Sequence, residues 1–109
     1  MAYNEQLAQR VRQLLIDQTG YEEKKMFGGI GFLLHGNMAC GIVKDELVVR
    51  VGTDRYQASL AMPHTREFDI TGRTMKGWIM VAANGNKADE DLSFWVNRGV
   101  AFAATLPPK

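Results

Sequence analysis

Apolar residues recur at helical spacing near both ends of the chain and at alternating spacing through its middle. Leu7, Val11, Leu14 and Leu15 fall at i, i+4, i+7 and i+8, one stripe of a helix. The spacing predicts a helix over residues 3–18, with Asn4 as N-cap and Gly20 as the stop. Arg10, Arg12, Gln13 and Asp17 lie off the stripe. Residues 21–25 are polar and read as a connector.

From Met26 the period changes to two. Met26, Ile30, Phe32 and Leu34 share one face with Gly28, while Phe27 and Leu33 share the other with Gly29 and Gly31. His35-Gly36-Asn37 and Lys44-Asp45-Glu46 are turn signals around an apolar run at residues 38–43. Residues 47–51 are rich in β-branched side chains. Two consecutive hairpins therefore predict a three-stranded meander, and both faces of its first two strands are apolar or glycine.

Gly52 ends the third strand, and Thr53 is a candidate N-cap with Asp54 in the first turn. A short helix is expected over residues 56–61, stopped at Pro63. Phe68 and Ile70 suggest a fourth strand, Thr71-Gly72-Arg73 a turn, and residues 75–83 a fifth strand. In that strand Trp78, Met80 and Ala82 alternate with Ile79 and Val81, and Asn84-Gly85-Asn86 closes it.

Asp89, Glu90 and Asp91 gather at a helix N-terminus, where the macrodipole favours them. Leu92, Trp95, Val96 and Gly99 follow at i, i+3, i+4 and i+7, then Phe102, Ala103 and Leu106, before Pro107-Pro108. The order is α-β-β-β-α-β-β-α. The predicted fold is a two-layer α+β sandwich with helices on a five-stranded, mainly antiparallel sheet. The third and fourth strands, joined through the middle helix, are the exception to hairpin pairing.

The chain has 109 residues, which bounds it to one domain spanning residues 1–109. Net charge is +1, so no strong field selects nucleic acid or an acidic partner, although residues 24–76 are mildly basic. Cys40 is the only cysteine, which excludes an internal disulfide and fits a reducing cytoplasm. No apolar run approaches the roughly 20 residues of a membrane span, so no membrane partner is expected.

Candidate chemistry thins out on inspection. Gly29-Ile30-Gly31 opens a hairpin, whereas a phosphate-binding glycine loop must lead from a strand into a helix. These glycines read as permitting a bulge or the close approach of a helix. His35 and His64 sit in turns without metal-pair spacing. Cys40 lies mid-strand as a small hydrophobe, and Ser59 and Ser93 lie on helices outside any nucleophile elbow. No catalytic, cofactor or metal residue is assigned.

The exposed candidates are Arg73, Lys76 and Trp78, a basic–aromatic group beside a turn. Trp78 reads as core, because it shares a strand face with Met80 and Ala82. Arg50, Arg55 and Arg66 extend the basic surface along the middle of the chain.

Several motifs together form a family pattern. Lys25-Met26-Phe27-Gly28-Gly29-Ile30-Gly31-Phe32 resembles the opening strand of the TfoX (Sxy) N-terminal domain family. Met38-Ala39-Cys40-Gly41, Gly72-Arg73-Thr74-Met75-Lys76-Gly77-Trp78 and the helix around Trp95 are similar to its later elements. The resemblance covers nearly the whole chain. It implies a secretion-chaperone-like fold and a connection with bacterial competence regulators that act with a cyclic-AMP-responsive transcription activator. Those regulators carry a second, helical domain, so this chain resembles a stand-alone N-domain. The family supplies no catalytic residues to carry over.

Three functions follow as expectations. The first is a non-enzymatic regulatory or protein-interaction module without cofactors, forming a homodimer because apolar surface exceeds what three helices cover. The second is a nucleic-acid-associated module using Arg50, Arg55, Arg66, Arg73 and Lys76, with affinity falling steeply with salt. The third is a small enzyme with an unfamiliar site.

Overall fold

The computed structural model describes residues 3–26, 28–69, 72 and 74–108. Helix α1 spans Glu5–Leu15, and the Asn4 side chain caps it by accepting from the Leu7 backbone N–H. Leu7, Ala8, Val11 and Leu15 form its buried face. Leu14 is exposed, so the apolar stripe is one residue narrower than its spacing suggests, with Ala8 filling the place.

Among the described residues six strands follow, not five. They are β1 (Tyr21–Met26), β2 (Gly29–Leu34), β3 (Asn37–Val43), β4 (Glu46–Arg50), β5 (Thr65–Glu67) and β6 (Trp78–Val81). The extra strand is β1, at the position of the expected polar connector. Tyr21 and Glu23 alternate towards α1 while Glu22 and Lys24 point away into solvent. A strand at the sheet's edge needs no continuous apolar face, because backbone pairing with β2 holds it.

The sheet order is β1-β2-β3-β4-β6-β5, and every neighbouring pair is antiparallel. Strand β6 lies between β4 and β5, so these two run parallel to each other on either side of it. Their connection accordingly contains a 3-10 turn (Thr53–Arg55) and helix α2 (Tyr56–Leu60). Residue Ile70, expected in the fourth strand, lies outside the described residues; that strand ends at Glu67. The segment expected as a closing turn after β6 is a single helical turn, α3 (Ala83–Asn86).

The last helix, α4 (Asp89–Ala103), lies over β3 and β4. Strand β3 carries one extra residue, Ala39, where its register with β2 shifts. Gly99 of α4 rests directly on the Ala39 carbonyl, and any side chain there would collide with it. Close helix approach is thus the role of Gly99 on the helix. Gly31 and Gly41, by contrast, leave room for Met26 and Met38 on the opposite face.

The main core lies between helices and sheet, with Phe32, Cys40, Ile42, Leu47, Val49, Ile79, Val81, Leu92, Trp95 and Val96 at its centre. The other sheet face carries Leu33, Met38, Val43, Val48, Phe68 and Met80, flanked by Met26 and Trp78. These residues are themselves buried, Val48 and Met80 completely. The second face is therefore covered by the chain's own side chains, and the apolar surplus expected to form an interface is largely absorbed.

An ion pair ties α1 to β1. Arg12 donates to both carboxylate oxygens of Glu23, at 2.6 and 2.9 Å, and the Tyr21 hydroxyl donates to the same carboxylate. Among the described residues no helix is long and apolar enough to cross a membrane.

Candidate functional site

The feature with most chemistry lies where the end of β4 meets the end of α4. Arg50 and Trp78 face each other across the β4–β6 pair, so their side chains share a sheet face. The Arg50 guanidinium lies 5.0 Å from the Trp78 ring centroid and 5.3 Å from that of Phe102 on α4. It lies over both rings, each attracting the cation with its π-face.

Backbone geometry makes this possible. The Gly77 carbonyl accepts from both the Val51 and Gly52 N–H groups, at 2.8 and 3.0 Å. Gly52 has φ +84°, and a Cβ there would sit 2.5 Å from the Phe102 ring. Glycine therefore lets Phe102 approach the chain closely as it leaves β4.

Phe102 separates two adjoining depressions. The smaller, about 160 Å³, is lined by Arg50, Gly52, Thr53, Lys76, Trp78 and Phe102. The larger, about 330 Å³, includes Thr53, Asp54, Arg55, Arg98 and Phe102. Beyond it Arg55, Phe94 and Arg98 line a third, open hollow. The Arg98 guanidinium lies 4.7 Å from the Phe94 centroid and donates to the Ser59 hydroxyl at 3.3 Å.

Four cations, Arg50, Arg55, Lys76 and Arg98, thus border one cleft. Among the described residues none of them has an ion-pair partner, and Asp54 is the one acidic side chain lining the two main depressions. Burial lowers the Arg50 pKa. Burial and then the neighbouring Arg55 charge lower that of Arg98. Both shifts reflect guanidinia held partly away from water without a counter-charge.

Of the residues that the sequence singles out, Arg50, Lys76 and Trp78 come together in the smaller depression, and Arg55 joins from the larger. Arg66 lies elsewhere and is already neutralised, by Glu46 at 2.9 Å and Asp69 at 3.0 Å. Arg73 lies outside the described residues. Trp78 is half-buried: it packs on Phe68, with centroids 6.0 Å apart, and still borders the cleft. Arg98, Phe102 and Phe94 were not legible as site residues. They stand on α4 among residues read as a core-packing helix, and nothing in their spacing points to a strand forty or more residues away.

The other reactive groups are placed apart from this cleft. Cys40 is fully buried in the main core, and burial pushes its thiol up to about 12. His35 and His64 are exposed in turns.

The model of the TfoX N-terminal domain matches residues 13–103. The chain belongs to the TfoX N-terminal domain family. Comparison with curated proteins and with solved structures gave no match. The matched span of the TfoX N-terminal domain includes every cation and aromatic residue of the cleft. It leaves out the cap Asn4 and residues 5–12, most of α1, including Arg10 and Arg12.

Proposed function

We propose that this TfoX N-terminal domain is a non-enzymatic regulatory module, acting in the cytoplasm by holding a protein partner at the Arg50–Phe102 cleft. One observation carries the reading. Arg50 is a half-buried guanidinium lying over two aromatic rings, with no ion-pair partner among the described residues. Arginine and aromatic side chains at a partly desolvated position are the residue types that dominate protein–protein binding energy. The family membership supports a regulatory or competence-related role. The placement of Cys40 supports the non-enzymatic part, because a thiol at about 12 inside the core is a poor nucleophile.

The test is affinity capture from the native host with the wild-type domain and with Arg50→Gln and Phe102→Ala variants, read by mass spectrometry. A protein retained by the wild type and lost by both variants supports the reading. Identical retained proteins with all three baits would remove the cleft from any binding role.

A homodimer belongs to the same proposal, at the open β1 edge. Two β1 strands paired antiparallel about an axis through Glu23 would set each Glu22 opposite the other copy's Lys24. Arg12 already compensates Glu23 at that axis. Light scattering at high micromolar concentration tests it. The wild type should run as a dimer, Lys24→Glu as a monomer, and the Glu22→Lys/Lys24→Glu double variant as a dimer again; a monomeric wild type ends the idea.

A further inference from the structure

We infer that the cleft takes an acidic peptide segment, with one carboxylate on Arg50 and Lys76 and a second, across Phe102, on Arg55 and Arg98. The inference rests on the protein-interaction reading above and names the chemistry of the partner.

The first argument is the setting of Arg50. Its guanidinium carbon lies over two rings, 5.0 Å from the Trp78 centroid and 5.3 Å from that of Phe102, and the group has no ion-pair partner among the described residues. Arg50 lines the smaller depression, and a planar donor fork there matches the two oxygens of a carboxylate. Lys76, exposed on the same wall, adds a point charge.

The second argument is contrast within the molecule. Arg10, Arg12 and Arg66 each have a carboxylate at 3.0 Å or closer. The four cations of the cleft have none among the described residues, although they are gathered at one end of the fold. An acidic segment would complete four charges that the chain leaves open.

The third argument is size. The smaller depression, about 160 Å³, falls below the roughly 300–1,000 Å³ of pockets that enclose a whole small molecule. The larger, at about 330 Å³, is at the foot of that range. Two shallow subsites divided by a ring suit successive side chains of a peptide.

A single-stranded nucleic acid is the other anionic polymer to weigh, and the rings disfavour it. Such strands bind by stacking bases on free aromatic faces. Arg50 already covers Trp78 and Phe102, and Phe68 packs beside Trp78. Arg98 covers Phe94, whose other neighbour is Trp95, edge to face.

The experiment is fluorescence anisotropy with the full chain and fluorescein-labelled probes. The probes are a twelve-residue peptide alternating Glu and Leu, its Gln–Leu counterpart, and a dT oligonucleotide of equal length. The Glu peptide should bind at least about tenfold more tightly than either other probe. Arg50→Gln and Arg98→Gln should each weaken it about tenfold or more, and Arg50→Lys should restore only part of the loss. Lys76→Gln, at an exposed position, repeats the test with little risk to folding. Lys44→Gln, exposed in the β3–β4 turn away from the cleft, should leave affinity unchanged. Oligonucleotide binding as tight as the Glu peptide, or equal losses from Lys44→Gln and Arg50→Gln, would overturn the inference. If host proteins are captured in an Arg50-dependent way while the Glu peptide fails to bind, acidic recognition falls and the interaction reading stands. If neither binds, both fall.

Discussion

Arg50 and Trp78 face each other across the β4–β6 pair, with the guanidinium carbon 5.0 Å from the ring centroid. The relationship joins stability to function. Trp78 is packed on the second sheet face through Phe68 and Met80, yet its ring is also one wall of the cleft.

The two tryptophans should report this difference. Trp95 is 3% exposed and Trp78 is half-buried. In Trp78→Phe the remaining emission should be blue-shifted and resist acrylamide. In Trp95→Phe the emission should be readily quenched, and less so once the cleft is occupied. Trp78→Ala should lower unfolding free energy by about 2 kcal/mol in urea titration, less than for a fully buried tryptophan. Equal quenching of the two single-tryptophan proteins contradicts the placement.

Gly52 and Gly72 separate backbone strain from steric overlap. Both have φ near +85°, so alanine at either carries a backbone cost of about 1–3 kcal/mol. A Cβ at Gly72 meets nothing within 4 Å, whereas one at Gly52 meets the Phe102 ring. Gly52→Ala should therefore destabilise more than Gly72→Ala and also weaken cleft binding. Matching urea midpoints for the two variants would show that Phe102 does not rest on Gly52.

The Arg12–Glu23 pair sets a pH dependence. The Arg12 guanidinium holds the Glu23 carboxyl below its ordinary value of 4.5. A folded-state value below the unfolded one adds stability that is complete above the unfolded value, and is lost as pH falls through the folded value. Wild type should exceed Glu23→Gln in urea midpoint at pH 7, and the gap should close as the pH is taken from 5 towards 3. A gap that widens in acid refutes the pairing.

Cys40 offers a probe of global opening. Its thiol is fully buried, and burial raises its pKa to about 12. A thiol-specific disulfide reagent at pH 8 should modify it only as fast as the domain unfolds. In denaturant the reaction should be immediate. Rapid labelling of the native protein would mean that the main core opens at β3.

Helices α1 and α4 are legible because each buries a stripe that repeats at helical spacing. The turns between β2, β3 and β4 are equally plain, since polar residues and glycine interrupt apolar runs. Strand β1 is not, because Glu22, Glu23, Lys24 and Lys25 carry no apolar alternation. Backbone bonds to β2 make it a strand, and those bonds leave no mark on side-chain pattern. The place of β6 between β4 and β5 is hidden for a similar reason: strand order depends on which edges meet in space.

The alternating apolar positions, the turn residues and the lone cysteine settle the α+β class, helices α1, α2 and α4, and the lack of an internal disulfide. Each is a property of neighbouring residues or of composition. Only the tertiary structure decides that Arg50, Lys76 and Trp78 share a cleft with Phe102 and Arg98 while Arg66 is spent on Glu46 and Asp69. That outcome depends on the glycine approach of α4 to β3 and on the placement of β6 beside β4. Both are long-range packing choices, and local sequence pattern carries no signal of either.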